Sequence, residues 1–176
     1  MQATSIFATI ANNGMRVSPT VIAGTSDASG NFTPAPGRTS QRVISTETAQ
    51  AMRIMMESVV SASGTAPTAA IAGYRVAGKT GTAMRIDDTC GCYRGYTASF
   101  IGFAPADKPA YVISVTIQDP KGLHWGGALG GPVFKKVMSF VLQSRHIPPT
   151  GTTVIPVALN EKALMAKKVA DAKTTH

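Results

Sequence analysis

The run Val76-Ala-Gly-Lys-Thr-Gly-Thr-Ala83 places one amine, two hydroxyls and two glycines between apolar flanks. An ammonium beside hydroxyls can hold a carboxylate through charge-assisted hydrogen bonds, which makes Lys79, Thr80 and Thr82 candidates for gripping an anion. A backbone N–H at the same place can serve as half of an oxyanion hole in acyl transfer. If the run is a strand, side chains alternate, so Lys79 and Gly81 share one face and Thr80 and Thr82 the other. Glycines at 78 and 81 admit another backbone or a ligand, and an exposed strand edge can add an extended peptide to the sheet. A plain polar edge strand uses the same residues. The spacing permits the chemistry without defining it.

The elements that must position this run read as follows. Ala3, Ile6, Phe7, Ile10 and Ala11 fall on one face of a helix, stopped by Asn13-Gly14. Arg16 to Gly24 reads as a short extended segment, followed by a Ser/Gly/Pro-rich loop or hairpin. Ser45 is placed to cap a second helix, with Glu47 in its first turn and Ala49, Met52, Met55, Met56, Val59 and Val60 as its apolar face. Three strand-like runs come next: Tyr74 to Met84, Tyr96 to Pro105 and Ala110 to Asp119, the last two joined by a short turn as an antiparallel hairpin. A final helix is expected to open at Pro132, with Val133, Val137, Phe140 and Val141 sharing one face and Pro148-Pro149 as its stop. The order predicts an α+β fold, an antiparallel sheet packed with helices. Residues 1–148 form one unit, and residues 149–176 a Thr/Pro linker and an Ala/Lys-rich tail whose Asn160 to His176 portion has a thin helical stripe.

With 176 residues, 44% hydrophobic and 15% charged, the chain has the makeup of a packed domain. Its net charge of +8 is dispersed, and 6% aromatic content offers no basic stripe with interleaved aromatics, so nucleic acid is not an expected partner. No stretch is apolar for the roughly 20 residues a membrane span needs, and the N-terminus lacks the layout of a signal peptide.

The segment "GYRVAGKTGTA" resembles the lysine-threonine-glycine box of penicillin-binding transpeptidases and serine β-lactamases. "SIFATIANNGMRVSPTVI" before it, and "YTASFIGFAPADKPAYVISVTI" and "GGPVF" after it, resemble the flanking blocks of class B penicillin-binding proteins, most of all the division-type monofunctional transpeptidases. The resemblance spans about residues 1 to 148 and implies part of the penicillin-binding and β-lactamase fold. It implies that Lys79 tunes the electrostatics of the site and orients the serine of the family's middle motif. Thr80 and Thr82 bond the carboxylate of a β-lactam or peptide stem, and the Thr82 N–H completes an oxyanion hole. The edge Gly81 to Ala83 pairs with substrate backbone. The implied partners are peptidoglycan stems, β-lactams, the N-terminal part of a transpeptidase domain and division-machinery membrane proteins. The implied location is the extracytoplasmic face of the bacterial membrane, and no cofactor or metal is implied.

Acyl transfer of this type needs an activated nucleophile, which the family supplies as Ser-x-x-Lys. No serine in this chain has lysine three positions on. The match to Ser-x-Asn, Ser29-Gly30-Asn31, lies in a Gly/Pro loop and reads as a turn. The expectation is a C-terminal portion of a transpeptidase domain that is inactive alone. A fragment of a β-lactamase or β-lactam sensor, or a non-catalytic binding or assembly module, are the alternatives. Cys90-Gly91-Cys92 is open to a disulfide, to free thiols or to pairing elsewhere. Asp87-Asp88 reads as a solvated turn. His124-Trp125 is either a substrate contact or an anchoring indole beside a surface histidine.

Overall fold

A computed structural model describes residues 1–151, so the expected Asn160–His176 helix lies outside the described residues. Among the described residues are three α-helices and seven strands, three of the strands forming the main antiparallel sheet. They are α1 (Gln2–Ala11), β1 (Met15–Val17), β2 (Gly24–Ser26), β3 (Phe32–Pro34), β4 (Ser40–Arg42), α2 (Thr46–Ser58), β5 (Ala77–Asp87), β6 (Cys92–Ala104), β7 (Tyr111–Gln118) and α3 (Gly126–Ser144). The main sheet runs β5-β6-β7, which leaves β5 on an edge. The expected α+β architecture is what forms.

Alternation along β6 builds two cores. Phe100 and Ala104 face Phe134, Met138 and Leu142 of α3, with the Phe100 and Phe134 rings edge to face at 4.9 Å. Phe103, on the opposite face, packs with Ala77, Ile10, Ala11 and Met56 from β5, α1 and α2. The sheet is therefore the middle of three layers. Ser45 caps α2 as expected, accepting the Thr48 N–H at 3.1 Å.

Several sequence expectations need correction. α3 starts at Gly126, so Pro132 lies inside the helix instead of opening it. Glycines that read as loop are the helix's packing face: a Cβ on Gly130 would come within 2.8 Å of Phe100, and one on Gly127 within 2.0 Å of the Thr65 carbonyl oxygen. That close approach fixes the rotation of α3. Phe134, Met138 and Leu142 turn inward, and Val133, Val137 and Phe140 point to solvent. On α2, Met55 is exposed while Arg53 and Glu57 are buried, because Glu57 receives a bidentate Arg75 guanidinium at 2.6 and 2.8 Å. Only the C-terminal end of α1 is buried, and Ile6 is exposed. The expected connection after Met84 is instead strand: β5 runs on to Asp87 and pairs with Cys92 and Tyr93.

The 15–42 region forms two small antiparallel pairs, β1 with β4 and β2 with β3. Ser29-Gly30-Asn31 sits in the turn of the second pair. There Asp27 accepts the backbone N–H groups of Ser29 and Asn31 and the Asn31 side-chain amide, each at 2.9 Å. Those bonds, the Asn31 amide first, hold the Asp27 carboxyl below the usual carboxylate range.

Candidate functional site

β5 places Lys79 to Ala83 on the open edge of the sheet, opposite Ile101 to Thr97 of β6. Thr80 pairs with Phe100 and Thr82 with Ala98, so both threonines belong to the face that α3 covers. The Lys79 and Gly81 positions belong to the other face, as alternation predicts. The Lys79 ammonium, exposed, curls back along the edge and donates to the Thr80 carbonyl oxygen at 3.0 Å. The cation and the two hydroxyls thereby line one edge.

Two contacts fix the hydroxyls. Thr80 Oγ1 lies 3.2 Å from Thr65 Oγ1, in the loop after α2. Thr82 Oγ1 accepts the Gly126 N–H at 3.2 Å, at the head of α3. The positive end of a 19-residue helix therefore borders the motif, which favours negative charge there. This approach requires glycine: a Cβ on Gly126 would come within 2.2 Å of the Ser99 carbonyl oxygen and 2.4 Å of that of Gly81. Ser99 Oγ lies 3.5 Å from the Gly81 carbonyl oxygen and beside the place a Gly81 side chain would occupy.

Thr65, Ser99 and Gly126 were not visible as site residues in the sequence. They are 14 or more positions from Lys79, in segments that carry no spacing signal of their own; the register of β6 and the docking of α3 bring them in. An aromatic ledge adjoins them. His124 stacks on Tyr96, centroids 4.0 Å apart and planes 9° from parallel, and Trp125 follows at 4.8 Å from His124. Trp125 is 59% exposed, so the anchoring-indole reading fails.

Beyond Met84 the strands β5 and β6 continue as a two-stranded arm. Cys90 and Cys92 are joined by a disulfide in its turn, the first of the arrangements open in the sequence. Asp87 is held in the turn by the Thr89 hydroxyl and N–H, which keep its carboxyl below the usual range, and by Arg94 at 3.2 Å. Arg85, Asp87, Arg94, Asp119 and Lys121 line an open cleft of about 420 Å³ at the arm's base. A larger apolar hollow, about 450 Å³, lies between α1 and the start of α2 and touches none of residues 79–83. Among the described residues no three His, Cys, Asp or Glu side chains are placed to share a metal ion, and no helix is long and apolar enough to cross a membrane.

The three-layer α+β unit is consistent with the penicillin-binding and β-lactamase fold. The profile described as "Penicillin binding protein transpeptidase domain" matches residues 1–139, and the chain belongs to that family. It is 40% identical over 158 residues to penicillin-binding protein PbpB of Mycolicibacterium smegmatis, covering 84% of this chain and 24% of that protein. With the peptidoglycan D,D-transpeptidase FtsI of Escherichia coli K12 it shares 39% identity over 121 residues, 68% of this chain and 20% of the relative. Penicillin-binding protein 3 of Mycobacterium tuberculosis, solved in complex with ampicillin, superposes with a TM-score of 0.80 at 35% identity, over 90% of this chain and 37% of that one. The chain thus spans about a quarter or less of the curated relatives it matches.

Proposed function

We propose that residues 1–148 are the C-terminal portion of a peptidoglycan D,D-transpeptidase domain and that Lys79 to Ala83 are its substrate-clamping wall. The observation that carries this reading is the alignment of Lys79 Nζ, Thr80 Oγ1, Thr82 Oγ1 and the Gly126 N–H along one unpaired strand edge. In the parent reaction a serine attacks the D-Ala-D-Ala carbonyl of a peptide stem, the terminal alanine leaves, and a neighbouring stem amine takes the acyl group. Lys79 attracts the stem carboxylate and tunes the nucleophile's surroundings, and the Thr80 and Thr82 hydroxyls bond that carboxylate. The Thr82 N–H stabilises the developing oxyanion. Gly81 to Ala83 pair with the extended peptide by strand addition. β-Lactams, which carry a carboxylate beside a strained acyl group, occupy the same wall.

This chain has no Ser-x-x-Lys, so the wall is without a nucleophile of its own and alone does not acylate. The parent protein works on the extracytoplasmic face of the bacterial membrane, at division, with the rest of its transpeptidase domain and membrane proteins of the division machinery as partners. The test is ampicillin titrated into the full chain, followed by amide chemical shifts and intact mass. Saturable shifts at residues 79–83 and 126 with unchanged mass support the reading. A covalent adduct overturns the claim of inactivity, and absence of shifts at that edge overturns the assignment of the wall.

A further inference from the structure

We propose that Cys90–Cys92 is a reversible thiol–disulfide exchange site, its substrate a dithiol, and that its reduction releases the arm formed by residues 84–96. The pair closes a ring across one intervening residue, Gly91, which holds a positive φ of 62°. A bond that closes so short a loop removes little entropy from the unfolded chain, so its contribution to global stability is small. Both cysteines are exposed, at the outermost turn of the β5–β6 pair. Exposed disulfides of this kind are the ones that thiolates reach and that exchange readily.

What the bond holds is local. β7 pairs with β6 only as far as Thr97, opposite Gln118, so from Met84 and Tyr96 outward the arm has two strands. The register shifts between Met84 and Ile86, and Gly95 takes a φ of 73°. A two-stranded ribbon with a register shift is marginal by itself. Its apolar side chains Met84, Ile86 and Tyr93 are exposed and contribute little burial. The turn bonds of Asp87, its ion pair with Arg94 and the disulfide close its outer end, and the Tyr96 stack on His124 holds its base. Cys90 Sγ lies 3.7 Å from the Asp87 carbonyl oxygen, within reach of a thiol hydrogen bond once the sulfur carries a proton.

The step balances as an ordinary exchange. One thiolate of the dithiol attacks a sulfur of the pair and the Cys90–Cys92 bond breaks. The dithiol's second thiolate then attacks its first sulfur in the mixed disulfide, and the cysteine leaves as a thiolate. The dithiol leaves oxidised, and Cys90 and Cys92 are left reduced with two protons taken up. β5 is continuous from Lys79 to Asp87, so the outer half of the edge strand gains freedom while Ala77 to Ala83, pinned by β6 and α3, keeps its place.

The experiment treats the full, undenatured chain with dithiothreitol, labels with iodoacetamide and reads intact mass alongside amide hydrogen exchange. The expected result is double labelling without denaturant, exchange about tenfold faster across 84–96 and unchanged exchange across 97–103. The Cys90→Ser/Cys92→Ser variant reproduces the reduced pattern without reductant. Labelling only after denaturation, exchange that stays the same or rises uniformly, or a double variant that exchanges like the oxidised chain each overturns the proposal.

Discussion

Replacing Gly126 with alanine puts a methyl group where two main-chain oxygens already sit. The new carbon falls 2.2 Å from the Ser99 carbonyl oxygen and 2.4 Å from that of Gly81, against contacts that normally exceed 3 Å. Neither oxygen belongs to a side chain that can swing aside, so the head of α3 must retreat from the β5 edge. Overpacking of this kind costs about 1–3 kcal/mol. The retreat also breaks the Gly126 N–H bond to Thr82 Oγ1, about 0.5–1.5 kcal/mol. Alanine's better helix propensity returns up to about 1 kcal/mol, and less at a first helical position. The expected net destabilisation is about 2 kcal/mol, or roughly 4–8 °C in Tm for a chain of this size. Gly37→Ala is the control, because nothing lies within 4 Å of its added carbon. Urea unfolding of both variants, with the slope checked for constancy, measures the difference. A Gly126→Ala protein within about 0.5 kcal/mol of the parent refutes the claim that main-chain contact sets this junction.

Glu57→Ala leaves the Arg75 guanidinium without its bidentate partner and should cost about 3–5 kcal/mol by chemical denaturation, whereas a loss under about 1 kcal/mol would mean solvent already shares the pair. Phe134→Ala removes a fully buried ring and should cost about 3–5 kcal/mol, while Phe140→Ser, on the same helix but 70% exposed, should stay within about 0.5 kcal/mol. If the two cost the same, the rotation assigned to α3 is wrong. The Asp27 turn carries a pH signature. Its carboxyl is depressed in the folded chain, so its stabilising contribution is present above the unfolded value of about 3.9 and is lost as pH falls through the folded one. The Asn31 side-chain amide shift should titrate with a midpoint below about 3.9 and lose that titration in Asp27→Asn. A midpoint at or above that value removes the turn bonds as the cause.

Where the chain declared itself, it did so through patterns that one segment can carry. Ser45 with Glu47 announced α2, and Ala110 to Asp119 alternated cleanly enough to announce β7. Lys79 to Ala83 was legible as a strand with opposed faces for the same reason. The failures share another cause. The head of α3 reads as Gly-Gly-Ala-Leu-Gly-Gly-Pro, a loop by local propensity. It is a helix because those glycines let it lie flush on Phe100 and Thr65, contacts that exist only in three dimensions. The same contact turned Val133 and Phe140 outward. Buried Glu57 carries no signal in the sequence, because its partner, Arg75, is 18 positions away. The arm reads as a connection in the sequence because its ladder is mostly exposed, with little hydrophobic alternation to report it.

The glycine seam between α3 and the edge strand bears on how this surface can diverge. Its spacing is set by main chain against main chain, so natural variation cannot widen or narrow it by small increments. Any side chain at 126 or 127 is a large step, and drift there meets a wall. Met84, Leu123 and Trp125 stand beside the same edge with more than half of their surface free, and exchanging them displaces little. Lineages that come to prefer different ligands at this edge should therefore differ at the rim and agree at the seam.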